Sequence, residues 1–245
     1  MRYERVLVKL SGSAIAGKND WGFSPDALNH IADELLRLHD LGVQISVVVG
    51  GGNIFRGELG EKWGIERAEA DNIGMIATVT NSLMLRGVLR SRGDVDARVM
   101  TAIPINTVAE PFIRLRAIRH LEHGYIVVLA AGTGNPYVTT DYPAVQRALE
   151  LRAEALLAAK NGVDGIYSAD PNHDPSARMY TQINYDTVIQ KNLRALDQSA
   201  VLLARDHKLP IHLFNFDTPE IMCRICKGEN MGTLIKNSSD MLRDN

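Results

Sequence analysis

Short runs of apolar residues alternate along this chain with longer segments whose apolar positions recur at helical spacing. Val6 to Leu10 is a mostly apolar strand that empties into Ser11-Gly12. Ser24-Pro25-Asp26 follows as a helix start, with a cap residue, proline at the first position and an acid in the first turn. Leu28, Ile31, Leu35 and Leu38 then share one helical face, and Gly42 marks its stop. Val43 to Val49 is the next strand, so the first fifty residues predict a strand–helix–parallel strand unit.

The same alternation predicts a long helix over 66–92, strands over 97–103 and 125–131, a helix over 109–123 between them, a helix over 141–151 and a buried strand over 155–159. Ile73, Met75, Ile76, Ala77, Val79, Leu83 and Met84 surround most of the long helix, which predicts cover on several sides, part of it from another subunit. Residues 168–176 are rich in Asp, Asn and Pro and read as loop. Beyond them come helices over 185–192, 198–207 and 219–227, strands over 211–215 and 233–235, and a polar, frayed tail from 237. The predicted architecture is a three-layer α/β/α sandwich on a mainly parallel sheet. It is a single domain over 1–236 with halves meeting near residue 160 around a cleft.

Composition narrows the function classes. With 245 residues, 45% of them hydrophobic, the chain can bury a substantial core. A formal net charge of −2 provides no broad field for nucleic acid or anionic membranes. No secretory signal is visible, and the apolar runs are far shorter than the ~20 residues a membrane span needs. Two cysteines make no disulfide framework. A cytoplasmic setting is expected.

The chemistry concentrates where two strands end alike. Val47-Val48-Val49 runs into Gly50-Gly51-Gly52-Asn53, and Val127 to Ala131 runs into Gly132-Thr133-Gly134-Asn135. A buried strand that stops at such a turn leaves backbone N–H groups bare, which suits phosphate oxygens. Two such turns suggest a site gripping two phosphorylated groups; either one alone is equally well a tight turn.

Lys9 ends a predicted buried strand, so it either snorkels from a sheet edge or faces a bound anion. Arg56 lies three residues past the first turn, close enough to fold back over a phosphate, or is an ordinary surface arginine. Asp71 either favours its helix dipole or accepts sugar hydroxyls. Thr139-Thr140-Asp141 reads as a helix cap and also as part of an anion site behind the second turn. Asp164, Asp170 and Asp174 read as turn residues, and Asp197 as a cap. Cys223-x-x-Cys226 stands without a second pair and is taken as packing, and the seven histidines lack metal-ligand spacing. Gly12 to Asn19 has Walker A spacing, but Asn19 replaces the Mg²⁺-binding hydroxyl and no helix opens at Lys18.

Taken together, Val8-Lys9-Leu10-Ser11-Gly12, Val49 to Gly57, Ala70 to Met75, Ala130 to Asp141, Val163 to Pro171 and Ala204 to Pro210 resemble the amino acid kinase family, in family order. Within the family, G-T-G-N-P-Y-V-T-T-D and A-R-D-H-K-L-P resemble its UMP-specific branch. The resemblance implies transfer of a phosphoryl group from ATP to UMP, with Mg²⁺ arriving on ATP. It implies that Lys9, Leu10, Ser11, Gly12, Gly52 and Arg56 face the ATP phosphates, and that Asn161, Tyr167 and Asp170 line the adenosine pocket. Gly51, Asp71 and Thr133-Gly134-Asn135-Pro136-Tyr137-Val138-Thr139-Thr140 would hold UMP. Asp141 and Asp197 would organise Lys9 or Mg²⁺. A homohexamer activated by GTP and inhibited by UTP is also implied. Ser13 and Ser24, where the family usually has Glu and Gly, put the GTP response in doubt. Carbamate or acylglutamate kinases, and a non-catalytic nucleotide sensor, are the competing readings.

Overall fold

The computed structural model describes residues 1–171, 173–193 and 196–243. Their strands are β1 (Arg5–Leu10), β2 (Gln44–Val49), β3 (Ala97–Thr101), β4 (Glu110–Pro111), β5 (Ile126–Ala130), β6 (Ala155–Lys160), β7 (Tyr180–Ile183), β8 (Ile211–Asn215), β9 (Thr233–Ile235) and β10 (Met241–Leu242). The helices are α1 (Gly12–Ala16), α2 (Pro25–Asp40), α3 (Gly57–Lys62), α4 (Arg67–Arg92), α5 (Arg114–Glu122), α6 (Asp141–Glu150), α7 (Tyr185–Gln190), α8 (Gln198–Asp206) and α9 (Ile221–Lys227).

One sheet carries all ten strands in the order β10-β7-β9-β8-β6-β1-β2-β5-β3-β4. From β8 to β4 every pairing is parallel, and the antiparallel pairs are β8 with β9 and β7 with β10. Strand alternation divides the core into two layers. Val6, Val8 and Leu10 pack with α2, α4 and α9, whereas Leu7 packs with α5, α6, α7 and α8. This is the expected α/β/α sandwich. Lys9 lies on the Leu7 face, towards α6 and α8. Because β8, β6, β1, β2, β5 and β3 run parallel, their C-terminal ends share one edge of the sheet, where open α/β folds bind ligands.

Several predicted elements need correction. No helix spans 109–113: Pro111 disfavours helical backbone at Glu110, the pair forms β4, and Phe112 N donates to Thr101 O at 2.9 Å. The tail is not frayed through 243. Met241–Leu242 adds a strand beside β7, and Asp240 accepts from Asn184 N (2.7 Å) and the Thr187 hydroxyl (2.8 Å). Helices α1 and α3 were unexpected. α3 carries Gly57 and Gly60, and the second glycine admits the close approach of Ala70, 2.9 Å from where a Cβ would stand. On α4, Ile76 and Met84 remain exposed.

The two cysteines are buried in α9 and unbonded. Burial pushes the Cys226 thiol up to about 12 and the Cys223 thiol upward, so both pack as inert groups.

His212 on β8 is 2% exposed, bonds the Tyr3 hydroxyl at 2.9 Å and leaves Nδ1 without a partner among the described residues. Burial, helped by Arg2 and Lys236, holds it down to about 3. The unfolded chain therefore takes up a proton near pH 6.5 that the folded protein refuses until about pH 3. Its contribution is complete above pH 6.5 and is lost as pH falls, at about 1.4 kcal/mol per unit. Urea denaturation at pH 7.5, 6 and 5 should show about 2 kcal/mol lost to this residue by pH 5. In His212→Gln that share of the slope should vanish.

Candidate active site at the C-terminal edge of the sheet

The first glycine turn is built from beneath by side chains. Gly50 N donates to Leu10 O at 3.0 Å, tying the end of β2 to the end of β1. Asn53, 1% exposed, donates to Gly22 O (2.8 Å) and exchanges hydrogen bonds with Asn81 of α4, which also donates to Gly50 O at 2.7 Å. Asn53 is therefore an anchor, and the backbone above it stays bare. Gly51 admits α4 closely: a Cβ there would stand 2.8 Å from Gly74 O. Arg56 folds back on this turn, its Nε donating to Gly52 O at 3.0 Å and its guanidinium lying 5.4 Å from the Trp21 ring centroid.

The second turn is strained. Ala131 and Gly132 both take positive φ (60° and 54°), unusual for the alanine and costly by about 1 kcal/mol. Ala131 N donates to the Thr78 hydroxyl at 2.8 Å. Arg147 of α6, 8% exposed, donates to Gly132 O at 3.2 Å and to Glu150 at 2.6 Å, with its guanidinium 3.9 Å from the Phe112 centroid. Charged groups are rarely buried unless paired, and here the pairing props up a turn.

Both turns open on one cavity of about 270 Å³, whose lining includes Gly51, Gly52, Arg56, Asp71, Gly132 and Asn135, together with Val138, Thr139 and Thr140. Thr133, Gly134, Pro136 and Tyr137 do not line it. Tyr137 is exposed, and it contributes its N–H to Asp71 at 2.7 Å. Asp71 is also held by Arg67 Nε at 2.9 Å, so it enters the cavity already oriented. Phe55, Met75 and Thr78 line the cavity without having been expected there.

Lys9 does not snorkel. β1 is a central strand, and the ammonium lies 2.7 Å from Asp141 Oδ1, with side chains 8% and 13% exposed. Asp141 Oδ2 accepts from Asp197 N at 3.1 Å, and Asp197 Oδ2 accepts from the Thr139 hydroxyl. Thr140 and Asp197 hold the expected N-cap positions of α6 and α8, but neither bonds its own helix through the side chain. Lys9, Asp141, Asp197 and Thr139 thus form one continuous chain of contacts. Ser11 and Ser13 hydroxyls pair at 2.7 Å beside Gly12. Leu10 reaches the site through its backbone alone, because its side chain is fully buried in the opposite layer.

A second cavity, of about 430 Å³, lies beyond β6 and is lined by Lys160, Val163, Gly165, Tyr167, Asp170 and Leu213 among others. Asn161 stands outside this lining and points its amide at Asp217, 3.4 Å away. Asp164 accepts from Asn215 at 2.9 Å, and Asp174 accepts from Ser176 N at 2.8 Å and from its hydroxyl, as turn residues do. Those Ser176 bonds hold the Asp174 carboxyl below its ordinary value. Gly12 to Ala16 forms α1 and does not wrap as a Walker loop. Among the described residues no three His, Cys, Asp or Glu side chains converge to hold a metal, and no helix is long and apolar enough to cross a membrane.

Residues 4–215 match the profile of the Amino acid kinase family. A uridylate kinase from Frankia casuarinae is 55% identical over 98% of this chain and 92% of that protein. One from Limosilactobacillus reuteri is 48% identical over 96% of this chain and 98% of its own. The crystal structure of UMP kinase from Bacillus anthracis superposes with a TM-score of 0.97 at 55% identity, covering 100% of both chains. That of UMP kinase from Ureaplasma parvum gives 0.90 at 30% identity, covering 97% of this chain and 100% of the other.

Proposed function

The chain belongs to the amino acid kinase family, and we propose that it is an enzyme transferring the γ-phosphoryl group of ATP to UMP, giving ADP and UDP. One observation carries the proposal: two bare-amide turns from different strands open on a single cavity beside a buried Lys9–Asp141 pair. UMP would occupy that cavity, with its ribose at Asp71 and its phosphate against Gly51 and the 132–140 segment. ATP would lie along β1 and β6, adenosine in the cavity lined by Tyr167 and Asp170 and the γ-phosphate reaching Lys9, Gly12, Gly52 and Arg56.

The attacking oxygen of UMP is anionic at pH 7, so no general base is needed. The protein's task is to hold two repelling phosphates in line and to neutralise the migrating group. Lys9 supplies a full charge in a water-poor setting, where such a donor counts most. Asp141 aims it, and Asp197 and Thr139 fix Asp141 from behind.

Asp141 and Asp197 are hard oxygen donors suited to Mg²⁺, and both already accept hydrogen bonds. That donor set fits an ion carried in by ATP and held mostly by phosphates and water. When bound, such an ion offsets charge on the β- and γ-phosphates. Homohexamer formation, GTP activation, UTP inhibition and a cytoplasmic setting belong to the same reading. The exposed Ile76 and Met84 on α4 favour a subunit contact.

Offering UMP, CMP, dTMP and carbamate in parallel with ATP and Mg²⁺ tests the proposal. UMP should be preferred over each by at least ~10-fold in kcat/KM, about what a few well-placed polar contacts provide. Preference for carbamate would overturn the nucleotide reading.

A further inference from the structure

Lys160 ends β6 as Lys9 nears the end of β1. Lys9 is in parallel register with Ala158, and side chains two residues apart share a sheet face, so Lys160 stands on the Lys9 face. It lies one pleat further towards the ligand edge, about 7 Å along the strand. It also lines the second cavity, whereas Lys9 lines neither.

The two lysines differ in partners. Lys9 is paired at 2.7 Å, but the half-buried Lys160 ammonium has no hydrogen bond or ion pair among the described residues. Burial, and then the like charge of Lys9, hold its pKa below the ordinary lysine value, against the pull of Asp141 and Asp197. A half-desolvated cation beside a second cation is unfavourable, and a polyanion reaching it from the second cavity would relieve it.

We propose that Lys160 is a second phosphate-contacting cation, holding the β-phosphate of the donor on the adenosine side of Lys9. This rests on the phosphoryl-transfer reading above. In that reaction a bond forms from a UMP phosphate oxygen to the γ-phosphorus, and the bond from that phosphorus to the β,γ-bridging oxygen breaks. The electron pair stays on the terminal phosphate of ADP, and no proton passes to the protein. Lys160 would meet the charge that builds there.

The test is calorimetric binding of ADP and AMP to wild type, Lys160→Met and Lys160→Arg, with kcat for UMP measured alongside. Charge-assisted hydrogen bonds imply a loss of about 10- to 100-fold in ADP affinity for the methionine variant. AMP affinity should be unchanged, kcat lowered, and the arginine variant should recover most of the ADP binding. Undiminished ADP binding in Lys160→Met would overturn the assignment. So would equal weakening of ADP and AMP, which marks a lysine that merely shapes the cavity wall. If wild type fails to phosphorylate UMP while the ADP-selective loss persists, the acceptor is wrong and the Lys160 contact stands.

Discussion

Lys9→Ala is expected to lower turnover by at least ~10²-fold, the range seen when one transition-state stabiliser is removed, while nucleotide binding largely survives. The geometry makes the variant ambiguous unless stability is followed too. Lys9 and Asp141 are both nearly buried, and removing one partner leaves an uncompensated carboxylate at a cost of about 3–5 kcal/mol. A slow variant is then also a destabilised one. Lys9→Met combined with Asp141→Asn removes both charges at similar volume and should recover most of the lost stability. Turnover of that double variant should remain at least ~10²-fold down, because nothing replaces the ammonium at the migrating group. Thermal melts and kcat for both variants separate the two effects. A rate restored together with stability would take Lys9 out of the chemistry.

Much of this site is legible in the chain because its parts are local. The two glycine turns announce themselves by following strands of Val, Leu and Ala, and bare amides depend on a few adjacent residues. Lys9 stands out because a lysine in an apolar strand needs a partner. Its partner is less legible. Thr139, Asp141 and Asp197 look like helix caps by position, and only the packing of α6 against α8 turns them towards each other and Lys9. Thr78 and Arg147 are missed for a related reason. Each acts on a turn more than ten residues away, and the signal present was faint: a hydroxyl and a cation on faces otherwise meant for the core. Lys160 carries the same signal as Lys9, a cation at the end of an apolar strand, but the neighbouring Asn161-Gly162 makes it look like the start of a loop. The elements missed outright are short or depend on distant partners. β10 exists because β7 offers an edge, and α3 tolerates two glycines because Gly60 lets Ala70 close upon it.

Two glycine-to-alanine changes, Gly12→Ala and Gly52→Ala, should separate the packing of the phosphate site from its accessibility. A Cβ on Gly12 would stand 2.6 Å from Gly52 N and 2.8 Å from Asn53 N, both backbone atoms that cannot swing aside. The start of α1 and the first glycine turn would be forced apart. Overpacking of that kind costs about 1–3 kcal/mol. In a chain of this length that lowers Tm by about 2–12 °C, and the displaced amides should reduce kcat/KM as well. Gly52 is the opposite case. A Cβ there meets nothing within 4 Å, so the folded protein has room for it and Tm should move by no more than about 1 °C. That open space belongs to the cavity proposed to hold the phosphates, and the new methyl would occupy part of it. Gly52→Ala should therefore lose at least ~10-fold in kcat/KM, since a misplacement of about 1 Å at a reacting centre can cost still more. The decisive comparison is a melt and a rate for each variant under one condition. A fully active Gly52→Ala would mean that phosphate does not approach this turn, and the assignment of the bare amides would fail with it.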